Sequence, residues 1–182
     1  MLLAALLVTS VAGDCSPQST DNPKVAADAL DYYLNVDCLV GEKRKPLAQL
    51  LELQKRPGLQ FKQLVEDRLA QFLNEGSDLQ NVLTSHQSSL DQEWAQRETY
   101  LQKITTHREL YIPELRSLQR VTKTEYMDQQ RKRLALKYRK RAAIALAAIG
   151  SKSALATLKE VERKGDKDMQ RTIQSALKRF QQ

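Results

Sequence analysis

The sequence predicts an all-α protein of stacked antiparallel helical hairpins with a longer central helix. Its 182 residues include only six glycines and five prolines, and residue types that favour helices, such as Leu, Ala, Gln, Lys and Glu, are abundant. Apolar residues recur at spacings of three and four, as they do on one face of an amphipathic helix. A chain of this length fits one domain, which we place at residues 24–182.

The first thirteen residues predict a secretory signal peptide. Residues 1–13 are a short apolar run that ends in small residues, like the core and cleavage region of such signals. The run is too short to cross a bilayer of about 30 Å as a helix. We therefore expect an exported protein, periplasmic or extracellular, in which residues 14–23 are an irregular leader. The alternative is a cytoplasmic protein whose N-terminal run is a buried helix.

The two cysteines, Cys15 and Cys38, both lie in the first quarter of the chain. In an exported protein, such a pair predicts a disulfide that ties the N-terminal segment to the helix that follows it. In a cytoplasmic protein, they would be two free thiols. Two cysteines alone are poor metal ligands, and we expect neither a metal site nor a cofactor.

Three helices are expected between residues 24 and 76. Residues 24–36 form the first, and the apolar piece 47–53 forms a short second helix between two turns. The third begins near residue 59 and should stop at Gly76. The apolar face of the first helix comprises Ala27, Leu30, Tyr33 and Leu34, and that of the third comprises Phe61, Leu64, Val65, Leu69, Phe72 and Leu73.

A long helix is predicted over residues 77–105. Ser77 and Gln80 have the spacing of a capping box at its start, and an apolar stripe interrupted by polar residues follows. The pattern leaves open whether the stripe packs within the chain or against a second copy. We expect Trp94 to pack between helices and His86 to be a structural side chain. The stripe comprises Leu79, Leu83, His86, Leu90, Arg97, Leu101 and Ile104.

The remaining part of the chain predicts further helices. One should begin near Glu114, because the preceding Pro113 is tolerated in a first helical turn. Residues 124–149 can form one helix of about 39 Å, which Gly150 ends. Ser153 can cap the next helix. The apolar residues of the last two helices are Ala154, Leu155, Leu158 and Val161, then Met169, Ile173, Ala176, Leu177 and Phe180.

The stretch 138–161 is rich in alanine, which allows two helices to approach closely while leucines fill the space between them. Its order of arginine, paired alanines, Ala-Leu, Ile-Gly and a later Ala-Leu resembles the HEAT-like repeats of bacteria, including the phycobilisome-lyase type. The resemblance applies to the C-terminal third, from about residue 124. It implies stacked helical hairpins whose surfaces bind other molecules, and it implies no reaction. The matching residues are Arg139, Ala142, Ala143, Ala145, Leu146, Ile149, Gly150, Ala154, Leu155 and Leu158.

The positive charge is concentrated in the second half of the chain. Residues 1–100 hold nine Lys and Arg against fourteen Asp and Glu, whereas residues 101–182 hold twenty against eight. The densest run lies within residues 131–141. Because a helix turns once in about 3.6 residues, these charges must wrap broadly around the polar side of the helix. They are Arg131, Lys132, Arg133, Lys137, Arg139, Lys140 and Arg141.

We expect this basic helix to contact an acidic partner, so that the protein acts as a non-catalytic interaction or scaffold module. In an exported protein the partner would be an acidic protein surface or an anionic component of the cell envelope. In a cytoplasmic protein it would be nucleic acid, and neutralisation of phosphates would make binding fall steeply with salt. The alternative is that these basic residues bind no partner and form a solvated face of the helix. The sequence also allows an oligomer.

Catalysis is not expected from the residue pattern. The two histidines, His86 and His107, lack the spacing of a metalloprotease motif, and the chain has no phosphate-cradling glycine loop. Carboxylates are plentiful, but the sequence singles none out by an apolar setting except Glu93 and Glu98, which lie near Trp94 and Tyr100. We therefore assign no catalytic residue.

Overall fold

The computed structural model describes residues 23–36, 44–56, 59–106 and 120–180, and confirms the all-α class. No β-strand occurs in these four ranges. A π-helical segment, Lys62–Glu66, leads directly into α3. In chain order the α-helices are α1 (Pro23–Asn35), α2 (Arg44–Gln54), α3 (Asp67–Leu73), α4 (Ser77–Ser85), α5 (Gln87–Thr106), α6 (Lys123–Ile149), α7 (Lys152–Lys164) and α8 (Lys167–Phe180).

Several predictions concern residues outside these ranges. They are the signal peptide 1–13, nearly all of the leader 14–23, the Cys15–Cys38 disulfide and the helix near Glu114, together with His107. These stay predictions.

The first helices follow the predicted pattern with two corrections. In α1 the apolar face is set by Ala26, which is buried, whereas Ala27 is half-buried. The prediction that Gly76 stops the third helix was wrong, because α3 ends at Leu73 and Glu75 takes the left-handed conformation, with φ of 60°. The N–H of Gly76 then donates to the carbonyl of Gln71, which satisfies a carbonyl at the helix end.

The predicted long helix over 77–105 is two helices, α4 and α5, that meet at His86. The ψ of His86 is −8°, which takes the backbone away from regular helical geometry. The predicted cap at Ser77 was also wrong, since Gly76 is the N-cap and no side chain bonds there. Leu83, Leu90 and other members of the stripe are buried within this chain, but its end is only half-buried at Leu101.

The predicted helix 124–149 is confirmed as α6. A capping box begins it: Thr122 accepts from the N–H of Glu125, and the Glu125 carboxylate accepts from the N–H of Thr122. Gly150 ends it in the left-handed conformation with φ of 65°, which glycine adopts without strain. Sequence pattern therefore located both ends of the longest helix in the described residues.

The alanines of α6 form a buried seam, as predicted. Ala142 and Ala145 have no exposed surface, and Ala176 of α8 is 5% exposed. The helix that follows is α7, but its N-cap is Ser151, which accepts from the N–H of Ala154, and the prediction of Ser153 was wrong. The Ser153 hydroxyl donates instead to the carboxylate of Glu66.

The long helix α6 is the centre of the fold, since each of the other seven described α-helices contacts it. Its C-terminal half lies in the core, where Tyr138 and Leu146 are each 1% exposed. The C-terminal half is therefore anchored in the core. The N-terminal half contacts α5 and carries the exposed residues of the basic run, Arg131, Lys132 and Arg133. This division positions the candidate site.

Candidate functional site

The structure separates the seven predicted basic residues into anchored and exposed groups. Arg139 belongs to the anchored group, with 17% of its side chain exposed. Its Nε donates to the carbonyl of Leu73 over 3.2 Å, and its terminal nitrogen lies 2.5 Å from the Glu75 carboxylate. Arg139 therefore closes the C-terminal end of α3, where helical carbonyls lack partners within the helix.

Arg141 closes the C-terminal end of α1 in the same way. Its guanidinium donates to the carbonyls of Leu34 and Val36, and its own carbonyl accepts from the Tyr33 hydroxyl over 2.9 Å. Burial raises the pKa of Tyr33 above its ordinary value, while the positive charge of Arg141 acts in the opposite direction. The expectation that the seven charges wrap around the polar side of this helix thus does not hold for Arg139 and Arg141.

The remaining members face outward. Arg131, Lys132 and Arg133 are exposed, and Lys140 is half-buried. No hydrogen bond or ion pair joins Arg131, Lys132 or Lys140 to any other described residue. Lys137 is half-buried, with Nζ 6.0 Å from the centre of the Tyr138 ring.

Three of these cations share one face of α6. Arg133, Lys137 and Lys140 are spaced by four and three residues, the spacing that places side chains on the same side of a helix. We call them the basic row. Lys140 at its end lines a groove between α6 and α8.

Sequence reasoning missed the contribution of α8 to this surface. Arg171 and Arg179 line the same groove as Lys140, although they follow it by more than thirty residues in the chain. They lie eight residues apart on α8, so they fall on one side of the helix. That spacing is visible in the sequence, but the two arginines lie beside Lys140 only because α8 packs against α6.

The exposed half of α6 is held by an aromatic contact with α5. The rings of Trp94 and Tyr126 have centres 5.4 Å apart, and the Arg97 guanidinium lies 5.3 Å from the Trp94 ring and 5.2 Å from that of Tyr126. Lys123 forms an ion pair of 2.7 Å with Asp91. The prediction that Trp94 packs between helices is confirmed.

His86 joins a chain of hydrogen bonds between three helical regions. The Tyr138 hydroxyl donates to Oδ1 of Asn35 over 2.6 Å and lies 2.9 Å from Nε2 of His86. Since a hydroxyl has one proton to donate, His86 must be the donor in the second bond. His86 thus ties the α4–α5 junction to α6 and α1.

Glu66 is 7% exposed, and it is the only charged residue that is buried within the described ranges. Its Oε2 accepts from the hydroxyls of Ser151 at 2.7 Å and Ser153 at 2.8 Å. Because Ser151 is the N-cap of α7, the carboxylate also lies near the positive end of that helix dipole. These contacts are all internal and give Glu66 a structural role.

Glu93 and Glu98, the carboxylates singled out in the sequence, do not form a pair with each other. Glu93 accepts a hydrogen bond of 3.3 Å from Tyr126, and Glu98 is exposed. Burial, followed by the Glu93 charge, raises the pKa of Tyr126. In the part of the chain that the structure describes, no three His, Cys, Asp or Glu side chains are grouped so as to hold a metal ion.

Comparison with protein-family models, with curated proteins and with solved structures finds no match. The HEAT-like resemblance of the C-terminal third therefore stays a prediction. Among the described helices, none has both the length and the apolar character needed to cross a bilayer.

Proposed function

We propose that this protein is a non-catalytic interaction or scaffold module that binds an acidic partner through the basic row of α6. The observation that supports the proposal is the outward position of these cations, of which Lys140 forms no hydrogen bond or ion pair with another described residue. The anchored half of α6 holds this surface on a rigid element, which lowers the entropy lost when a partner binds. Arg139 and Arg141, which bond to the ends of neighbouring helices, contribute to this rigidity.

In the exported protein that the N-terminal run predicts, the partner is an acidic protein surface or an anionic component of the cell envelope. Complementary charge would accelerate association and make the affinity depend on salt. If the protein is cytoplasmic, the partner is nucleic acid. These two classes differ in their chemistry, because nucleic acid releases condensed counterions along its phosphates.

Charge reversal of the basic row tests the proposal. The variant Arg133→Glu/Lys137→Glu/Lys140→Glu should bind fluorescent poly-L-glutamate at least about tenfold more weakly than the wild type, since three attractive charges become repulsive. Fluorescence anisotropy at two salt concentrations measures the affinities. Circular dichroism should show the same helicity in both proteins.

The matched control reverses three exposed charges on α7, at Lys152, Lys159 and Arg163. It changes the net charge equally but leaves the basic row intact, so its affinity should stay within about threefold of the wild type. Equal weakening in the two triple variants would show a response to net charge alone and would overturn the proposed site. Tight binding of a labelled DNA duplex, lost only in the basic-row variant, would support the nucleic-acid alternative instead.

A further inference from the structure

We propose that the groove between α6 and α8 binds an acidic amphipathic helix of a partner protein. This inference rests on the proposed function, because it names the chemistry of the acidic partner and adds α8 to the surface that holds it. The groove begins where the basic row ends, at Lys140.

The lining of the groove combines positive charge with apolar surface. Lys140 and Ile144 come from α6, while Arg171, Arg179 and Phe180 come from α8. Its volume is about 400 Å³, which is enough for several side chains of a partner. The two arginines are exposed, and the two apolar side chains are half-buried.

The groove continues beyond Ile144 and Arg179, which also line a second depression next to it. Leu47 of α2 and the anchored Arg141 lie in this second depression. None of the described residues that line either depression is a carboxylate. A ligand in this groove therefore meets positive charges and no carboxylate among the described lining residues, and charge complementarity favours an acidic ligand.

The spacing of the cations fits a helix of the partner. Arg171 and Arg179 are separated by eight residues of α8, about 12 Å at 1.5 Å per residue. Carboxylates eight residues apart on a partner helix lying along α8 have the same separation and face the same side. Each can form a charge-assisted bond with one arginine.

The apolar lining argues for an amphipathic partner over a simple polyanion. A helix with an apolar side chain between its two carboxylates would cover Ile144 and Phe180, and the burial of apolar surface would add to its affinity. Nucleic acid would use the cations alone and would leave those apolar side chains in water. The Arg179 guanidinium lies 5.3 Å from the centre of the Phe180 ring, so a partner helix can form a charged and an apolar contact at the same place.

Two synthetic peptides of equal composition test the inference on the full chain. In the facial peptide, two glutamates eight residues apart flank Leu and Phe on one helical face. In the scrambled peptide, the same residues are placed so that the glutamates and the apolar residues lie on opposite faces. We expect the facial peptide to bind about tenfold more tightly in fluorescence anisotropy, because only it makes both kinds of contact at once.

The variant Arg171→Glu/Arg179→Glu should abolish this preference, whereas Lys159→Glu/Arg163→Glu on α7 should keep it. Phe180→Ser, at the end of α8, provides a second variant that leaves the charges unchanged and should also reduce the preference. Circular dichroism of each variant tests that the helices are intact.

The outcomes separate this inference from the proposed function. If both peptides bind equally, and charge reversal of the basic row weakens both, the groove inference is overturned while the proposed function stands. If neither peptide nor poly-L-glutamate binds, both fail. A preference that survives Arg171→Glu/Arg179→Glu, or a DNA duplex that displaces the facial peptide more strongly than poly-L-glutamate does, would also overturn the groove inference.

Discussion

At the scale of single residues, neighbouring cations of one helix have different roles. Arg139 and Arg141 bind carbonyls at the ends of other helices, whereas Lys140 between them lines an open groove. A cation at the C-terminal end of a helix satisfies free carbonyls and meets the negative end of the helix dipole. Residue type and charge density do not distinguish these roles. The side of α6 on which each residue falls decides them.

Replacement of Arg141 should therefore destabilise the fold. Arg141→Met removes two charge-assisted hydrogen bonds and leaves the carbonyls of Leu34 and Val36 without that donor, at a cost of about 2 kcal/mol. Urea unfolding followed by circular dichroism measures the free energy. Lys140→Met is the matched control and should change stability by less than about 0.5 kcal/mol, as is usual at surface positions. Equal losses in both variants would contradict the structural role of Arg141.

At the scale of elements, the helix starts show why a sequence motif alone does not fix an N-cap. Ser77 with Gln80 and Thr122 with Glu125 both have capping-box spacing, yet only the second pair forms one. At the first site, the turn after α3 places Gly76 at the N-cap, which moves Ser77 into the helix. The same sequence pattern is thus compatible with two registers, and the preceding turn selects between them.

The capping box of α6 should give stability that depends on pH. The backbone N–H of Thr122, and then its hydroxyl, hold the pKa of Glu125 below its ordinary value. A carboxyl with a lowered pKa in the folded state stabilises the fold above its unfolded pKa, about 4.3, and this contribution disappears as the pH falls through the folded pKa. The difference in urea midpoint between wild type and Glu125→Gln should therefore be present at neutral pH and should disappear below about pH 4.

A matched control for this titration is Glu98→Gln, on the exposed face of α5. Glu98 forms no hydrogen bond with any described residue, so its replacement should leave the urea midpoint nearly unchanged at every pH. A difference for Glu125→Gln that stays constant from neutral to acid pH would show that the charge of the carboxylate contributes nothing to the cap.

Local signals predicted most elements of the fold, and some of the errors concern features that involve residues distant in sequence. The ends of α6 follow from residues close in sequence, with Gly150 as the stop. The break between α4 and α5 does not, since His86 bonds to Tyr138, which lies fifty-two residues away. The candidate site shows the same limit: the basic row was contained in the predicted set, but Arg171 and Arg179 join it only through the packing of α8 on α6.

At the scale of the whole molecule, the fold brings the positive charge of the C-terminal half to one element and its neighbours. The α-helix α6 contacts each of the other described α-helices, so it both organises the core and carries the basic row. One end of it is rigid because its alanines fit between closely packed helices, and the other end contacts α5. Binding at the basic row is therefore linked to the integrity of the alanine seam.

The alanine seam gives a prediction for the complete fold. Ala145 has no exposed surface, so Ala145→Leu forces extra side-chain volume between α6 and the surrounding helices, at a cost of about 1–3 kcal/mol. Ala148 lies on the same helix but is half-buried, so Ala148→Leu should be tolerated at less than about 1 kcal/mol. Urea unfolding measures both. Because the seam holds α6 in place, Ala145→Leu should also weaken binding of poly-L-glutamate, and undiminished stability together with undiminished binding would contradict the role assigned to the seam.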